Sequence, residues 1–144
     1  MKRHEARSQA VCLLYEKTFH EDETMDIVIQ NALQGNNITV DEYALRLIDS
    51  VIKNMTEIDT VLQEYSNKWK LGRLPRIVLS ILRAAYCEIK YLDDIPDSVA
   101  INEAVELAKI FAGEEDASFV NGVLGGISRG TVKEADKATT QDVQ

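Results

Sequence analysis

The residues of this 144-residue chain that could do chemistry are few, and their spacing gives them little to do together. His4 and His20 fall near the two ends of one helical segment, about 24 Å apart at roughly 1.5 Å per residue, so they cannot share a ligand unless that helix breaks. No Glu-x-x-His pair suits a di-iron bundle, and no Cys-x-x-Cys or His-x-x-x-His pair suits zinc. Cys12 and Cys87 each lie within an apolar segment, which argues for reduced thiols and against a disulfide framework. Neither Gly-x-x-x-x-Gly-Lys nor Gly-x-Gly-x-x-Gly is present to cradle phosphate. Glu103 and Glu106 read as one wet helix face, and Gly122, Gly125 and Gly126 as packing or helix-end positions. No catalytic machinery, metal site or cofactor site is expected.

Binding is what remains. Lys2, Arg3, His4 and Arg7 open the first helical segment, and Arg3 and Arg7, four apart, share a face. Cations there could meet phosphates, with His4 available to stack on or donate to a base. They also oppose the helix macrodipole, at roughly a few tenths of a kcal/mol, a small sign of a purpose other than stability. The net charge of −8 hides an uneven distribution. Residues 1–17 hold four bases against two acids, and residues 68–90 hold six bases against Glu88 alone. Residues 21–64 hold ten acids and two bases, and residues 93–116 eight acids and one base. Two basic islands thus sit in an acidic chain, and solvated helix faces would explain either of them without any ligand.

The elements that must position these residues are helical throughout. Segment one, about 3–19, spaces Ala6, Ala10, Leu13 and Leu14 at helical intervals; segment two, about 24–34, does so with Met25, Val28, Ile29, Ala32 and Leu33. Thr39 and Glu42 have the spacing of a capping box, opening a third segment that runs to Met55. Thr56 and Asp59 start a fourth, with Ile58, Val61, Leu62, Tyr65 and Trp69 on one face. The fifth begins at Pro75 and is apolar nearly all round, as expected of a central helix. Pro96 precedes the sixth, which Asp97 or Ser98 can cap and which ends before Gly113; the seventh covers about 116–127. From Arg129 onward apolar positions scatter, so 129–144 is expected to be a disordered tail. The reading is all-α, about seven helices in one domain over residues 1–128. No apolar run approaches the roughly 20 residues that span a bilayer, and the first residues lack a signal peptide's apolar stretch, so a cytoplasmic, non-membrane protein is expected.

Three blocks resemble the NusB family: Leu82-Arg83-Ala84-Ala85-Tyr86-Cys87-Glu88-Ile89 followed by Ile95-Pro96, then the run from Val99 to Lys109, then Phe119-Val120-Asn121-Gly122-Val123-Leu124. Ala6-Arg7 leading to Leu14-Tyr15 fits the family's opening helix, and the resemblance spans about residues 2–127. It implies an all-helical fold of two packed subdomains. It further implies binding to single-stranded boxA-type RNA of ribosomal RNA leader transcripts, together with NusE, a ribosomal small-subunit protein, in an antitermination complex on RNA polymerase. Carried over by position, the family's Arg-rich opening falls on Lys2, Arg3 and Arg7, with His4 and Glu5 standing where arginines are common. The Gly113 to Asp116 loop, with Glu115, and Phe119 fall near the RNA surface; Arg73, Arg76 and Arg83 fall on the side facing NusE.

Two other readings stand beside this one. The charge of −8 fits a helical protein-interaction module without RNA activity. NusB-like domains also occur fused to RNA cytosine methyltransferases, but this chain is expected to hold no catalytic domain. Asn102, one turn inside segment six, serves either a neighbouring segment or a ligand, and Gly122 is expected to be compensated by close helix contact.

Overall fold

A computed structural model describes residues 1–34, 39–67, 69–92 and 94–130; the last helix is bounded Glu114–Val143, with side chains described as far as Gly130. Among these residues there are seven α-helices and no strand: α1 (Arg3–Lys17), α2 (Met25–Leu33), α3 (Glu42–Lys53), α4 (Met55–Ser66), α5 (Arg76–Lys90), α6 (Asp97–Phe111) and α7 (Glu114–Val143), with a 3₁₀ turn at Leu71–Arg73. Expected and observed helices agree in number and order. The tail expected from residue 129 begins inside α7, where Arg129 and Gly130 are helical; the remainder of it lies outside the described side chains.

Helix starts differ from the expected ones for local reasons. Asp41, not Thr39, caps α3: its Oδ1 accepts from Tyr43 N at 2.8 Å, the position an N-cap carboxylate serves best. Pro96 is the N-cap residue of α6, and neither Asp97 nor Ser98 caps it. The Asp97 carboxylate is engaged elsewhere, accepting from Ser128 Oγ on α7 at 2.7 Å. Trp69 lies beyond the end of α4 and is exposed rather than on its buried face. There Ser66 Oγ and Gln63 Nε2 both donate to the Trp69 carbonyl, and Asn67 takes the positive φ of 40° that reverses the chain.

Helix α5 sits at the centre, packed on α1 and α3 on one side and on α4, α6 and α7 on the other. Helices α1, α3, α4, α5, α6 and α7 thus share one continuous core, on which α2 packs through Met25 and Ile29. Leu47, Ile48, Ile58, Leu62, Ile81, Leu82 and Leu124 are its largest fully buried side chains. Fully burying each contributes about 1.5–3 kcal/mol. Gln9 on α1 ties down the α2–α3 connection, donating to Thr39 O and accepting from Asp41 N. That clamp fixes the start of α3 beside the middle of α1.

Candidate nucleic-acid interface

The opening of α1 carries the cations, and α3 and α5 decide which of them reach solvent. Lys2 is the extended N-cap residue and is exposed; Arg3 and His4 follow it, also exposed. Arg7, one turn on, points inward. Only 4% of it is accessible, because its Nε donates to both carboxylate oxygens of Glu88 on α5, at 2.9 and 2.8 Å. The expectation that Arg3 and Arg7 present one exposed face is therefore corrected. A 3.6-residue period brings the second arginine over the α1–α5 seam, where a buried carboxylate claims it.

Glu88 has a second donor. The Tyr43 hydroxyl on α3 donates to Glu88 Oε2, an oxygen that Arg7 Nε also reaches, in a short hydrogen bond, so Arg7, Glu88 and Tyr43 lock three helices together. Burial and then the Glu88 hydrogen bond push the Tyr43 phenol well above its ordinary range, which keeps it a donor at all ordinary pH. Above this buried group the Arg3 guanidinium lies 3.9 Å from the Tyr43 ring centroid. Beside it, Asp94 of the α5–α6 connection stands 4.0 Å from Arg3 Nη1 and 3.5 Å from Arg46 Nη2. Tyr43, Glu88, Arg46 and Asp94 were not singled out from the sequence. The usable signal was that Arg46 is one of only two bases between residues 21 and 64, three positions after Tyr43.

The remaining sequence-derived residues are scattered over other elements. His4 lines a cleft between α1 and α6 with Glu103, Glu106, Leu107 and Ile110. Glu115 is exposed in the first turn of α7, whereas Phe119 leans on the core; among the described residues neither has a polar link to the α1 cations. Arg83 is committed within the fold, donating through Nε and Nη2 to both Asp59 oxygens at 2.9 Å across α4 and α5. Arg76 is exposed, lies 4.4 Å over the Phe19 ring and donates to Thr18 O at 3.1 Å, beyond the far end of α1. Arg73 is exposed in the 3₁₀ turn. The nine residues thus fall into three groups: a cation cluster at the start of α1, residues of the α7 start, and arginines on the α4–α5 side. Asn102, for which the sequence left a structural and a ligand-facing role open, is exposed on α6.

Residues 4–129 match the model of the NusB family. This chain belongs to the NusB family. Among curated NusB proteins, the transcription antitermination protein NusB of Acetivibrio thermocellus is 40% identical, the match covering 99% of each chain. The Listeria monocytogenes protein of that name is 38% identical over 128 residues, 89% of this chain and 97% of its own. Solved NusB structures share the fold: that of T. maritima NusB superposes with a TM-score of 0.80 at 32% identity, covering 90% of this chain and 92% of its own. A crystal structure of the antitermination factors NusB and NusE in complex with dsRNA superposes at 0.77 and 27% identity, covering 90% of this chain and 99% of that one. The family match therefore runs from the first turn of α1 into α7. NusB is a family of antitermination factors rather than of enzymes. Among the described residues, no group of three or more His, Cys, Asp or Glu side chains could hold a metal, and no helix is long and apolar enough to cross a membrane.

Proposed function

We propose that this chain is a cytoplasmic transcription antitermination factor that binds single-stranded boxA-type RNA of ribosomal RNA leaders together with NusE, within an antitermination complex on RNA polymerase. The observation that carries the reading is the exposed Lys2-Arg3-His4 cluster at the start of α1, held by a buried salt bridge in a NusB fold. Phosphates would meet Lys2 and Arg3, and an unstacked base would meet His4. Glu115 and Phe119 would extend the surface, and Arg73 and Arg76 would face the protein partner. The functional unit is residues 1–128. Arg7 and Arg83 enter this reading as supports of their helices, since both guanidinium groups are already paired.

The test is a titration of the protein with a boxA-type single-stranded RNA over a salt series, with and without NusE. Affinity is expected to fall as salt rises, by about 0.7 in log–log slope per neutralised phosphate, and to rise when NusE is present. A flat salt response with no gain from NusE overturns the proposal. It would leave the helical protein-interaction module, which the charge of −8 favours, as the better description.

A further inference from the structure

The carboxylate of Asp94 lies between two guanidinium groups brought together from different helices. Its Oδ2 is 4.0 Å from Arg3 Nη1 on α1, and its Oδ1 is 3.5 Å from Arg46 Nη2 on α3. About half of each of the three side chains is exposed. At such separations the contacts are ionic but too long for the paired N–H···O bonds that arginine makes with a well-seated carboxylate. One small anion is therefore held loosely by two cations. One arm of the fork is better fixed than its occupant, and the other is placed by its helix. Arg3 lies on the Tyr43 ring, whose hydroxyl is held by buried Glu88, and Arg46 stands three residues after Tyr43, on the neighbouring turn of the same helix.

We propose that Arg3 and Arg46 form a two-arginine fork for one phosphate of the bound RNA, and that Asp94 is an internal competitor which that phosphate displaces. The inference rests on the RNA-binding reading above and adds to it a residue, Arg46, and a means of restraint. A phosphodiester carries the same single charge as Asp94 but offers two unesterified oxygens at wider spacing, better matched to two planar donors. Exposed ion pairs of this kind are weak and screened by salt, so the carboxylate can leave without disturbing the fold. The acidic connection between α5 and α6 would then set a threshold: anions that contact only this fork exchange poorly with Asp94, whereas RNA also engaging Lys2 and His4 displaces it.

The test uses the full chain with NusE and the same single-stranded RNA, read by fluorescence anisotropy at several salt concentrations. Asp94→Asn is expected to tighten binding by about two- to fivefold, the range of one exposed charge interaction. Arg46→Ala is expected to weaken it by a similar factor and to reduce the salt slope by about 0.7, the loss of one phosphate contact. In the double variant Asp94→Asn with Arg46→Ala, the gain from the first change should shrink, because fewer cations are freed. If the unaltered protein binds in a salt-dependent way and Arg3→Ala weakens it, while Arg46→Ala and Asp94→Asn change nothing, the fork is wrong and the RNA reading stands. If the unaltered protein shows no salt-dependent binding, the RNA reading itself fails. All three side chains are half-exposed, so unchanged melting temperatures are expected and would exclude unfolding as the cause.

Discussion

Arg7 and Glu88, 81 positions apart in the chain, form an ion pair almost sealed from water, with 5% and 3% of their side chains accessible. Removing Arg7 leaves the buried Glu88 charge with the Tyr43 hydroxyl, and removing Glu88 leaves Arg7 with Glu103, 3.9 Å from its Nη1. Breaking a buried pair typically costs about 3–5 kcal/mol. Arg7→Ala should therefore lower the melting temperature markedly, and Glu88→Gln, which keeps an acceptor for Tyr43, should do so less. Thermal denaturation decides this. An Arg7→Ala protein that melts normally yet loses RNA affinity would instead return Arg7 to the binding surface.

Arg83→Ala and Arg73→Ala should separate a supporting arginine from a free one. Arg83 makes a two-bond pair with Asp59 between α5 and α4, and charge-assisted bonds of this type contribute about 1.5–3 kcal/mol. Arg73 is exposed in the 3₁₀ turn. Chemical denaturation should show a clear loss for Arg83→Ala and a change within about 0.5 kcal/mol for Arg73→Ala. Equal losses would refute the distinction.

Three glycines of α7 should respond differently to alanine. A Cβ on Gly130 would fall 1.9 Å from the Tyr65 hydroxyl oxygen, and one on Gly126 would lie 3.1 Å from the Tyr65 ring, whereas one on Gly122 meets nothing within 4 Å. The close contact expected at Gly122 is thus made one and two turns later. Gly122→Ala should stabilise the protein by about 0.5–1 kcal/mol through helix propensity. Gly130→Ala should forfeit that gain, because the Tyr65 hydroxyl must move. Melting curves of the two variants, compared directly, check the order.

Stability should decline as pH rises from about 9 to 11. Burial raises the Cys87 thiol from its ordinary 9.0 to about 11, and burial also raises Tyr86 to about 12. A raised folded-state pKa means the unfolded chain gives up its proton first. The contribution is therefore fully present below pH 9 and is lost as pH climbs through the folded values. For Cys87 it amounts to roughly 2–3 kcal/mol. Denaturant titrations at pH 8 and pH 10.5 should show the loss, and Cys87→Ala should flatten it. A thiol alkylating reagent should reach half-buried Cys12 before Cys87, which is fully buried.

The helices were legible because each buries a stripe that recurs at a period of 3.6 residues. Leu47, Ile48 and Val51 mark α3 as clearly in the sequence as in the core. Caps were less legible, since Thr39 and Asp41 are both good N-cap types, and Gln9 from α1 helps decide between them by holding Asp41 N. Trp69 looked like a core residue because periodicity continues past the turn that Asn67 makes.

The sequence by itself determined an all-helical chain with a cationic opening helix and, through its C-terminal blocks, a NusB-family resemblance. Which cations are available was decided only by the tertiary structure. Lys2, Arg3 and Arg7 look equivalent in one dimension, since charge and spacing say nothing about what lies opposite. Folding places Glu88 and Tyr43 under Arg7, and Asp94 and Arg46 beside Arg3, from positions 36 to 91 residues away in the chain. Long-range pairing of charges depends on how helices cross, and no local pattern encodes it.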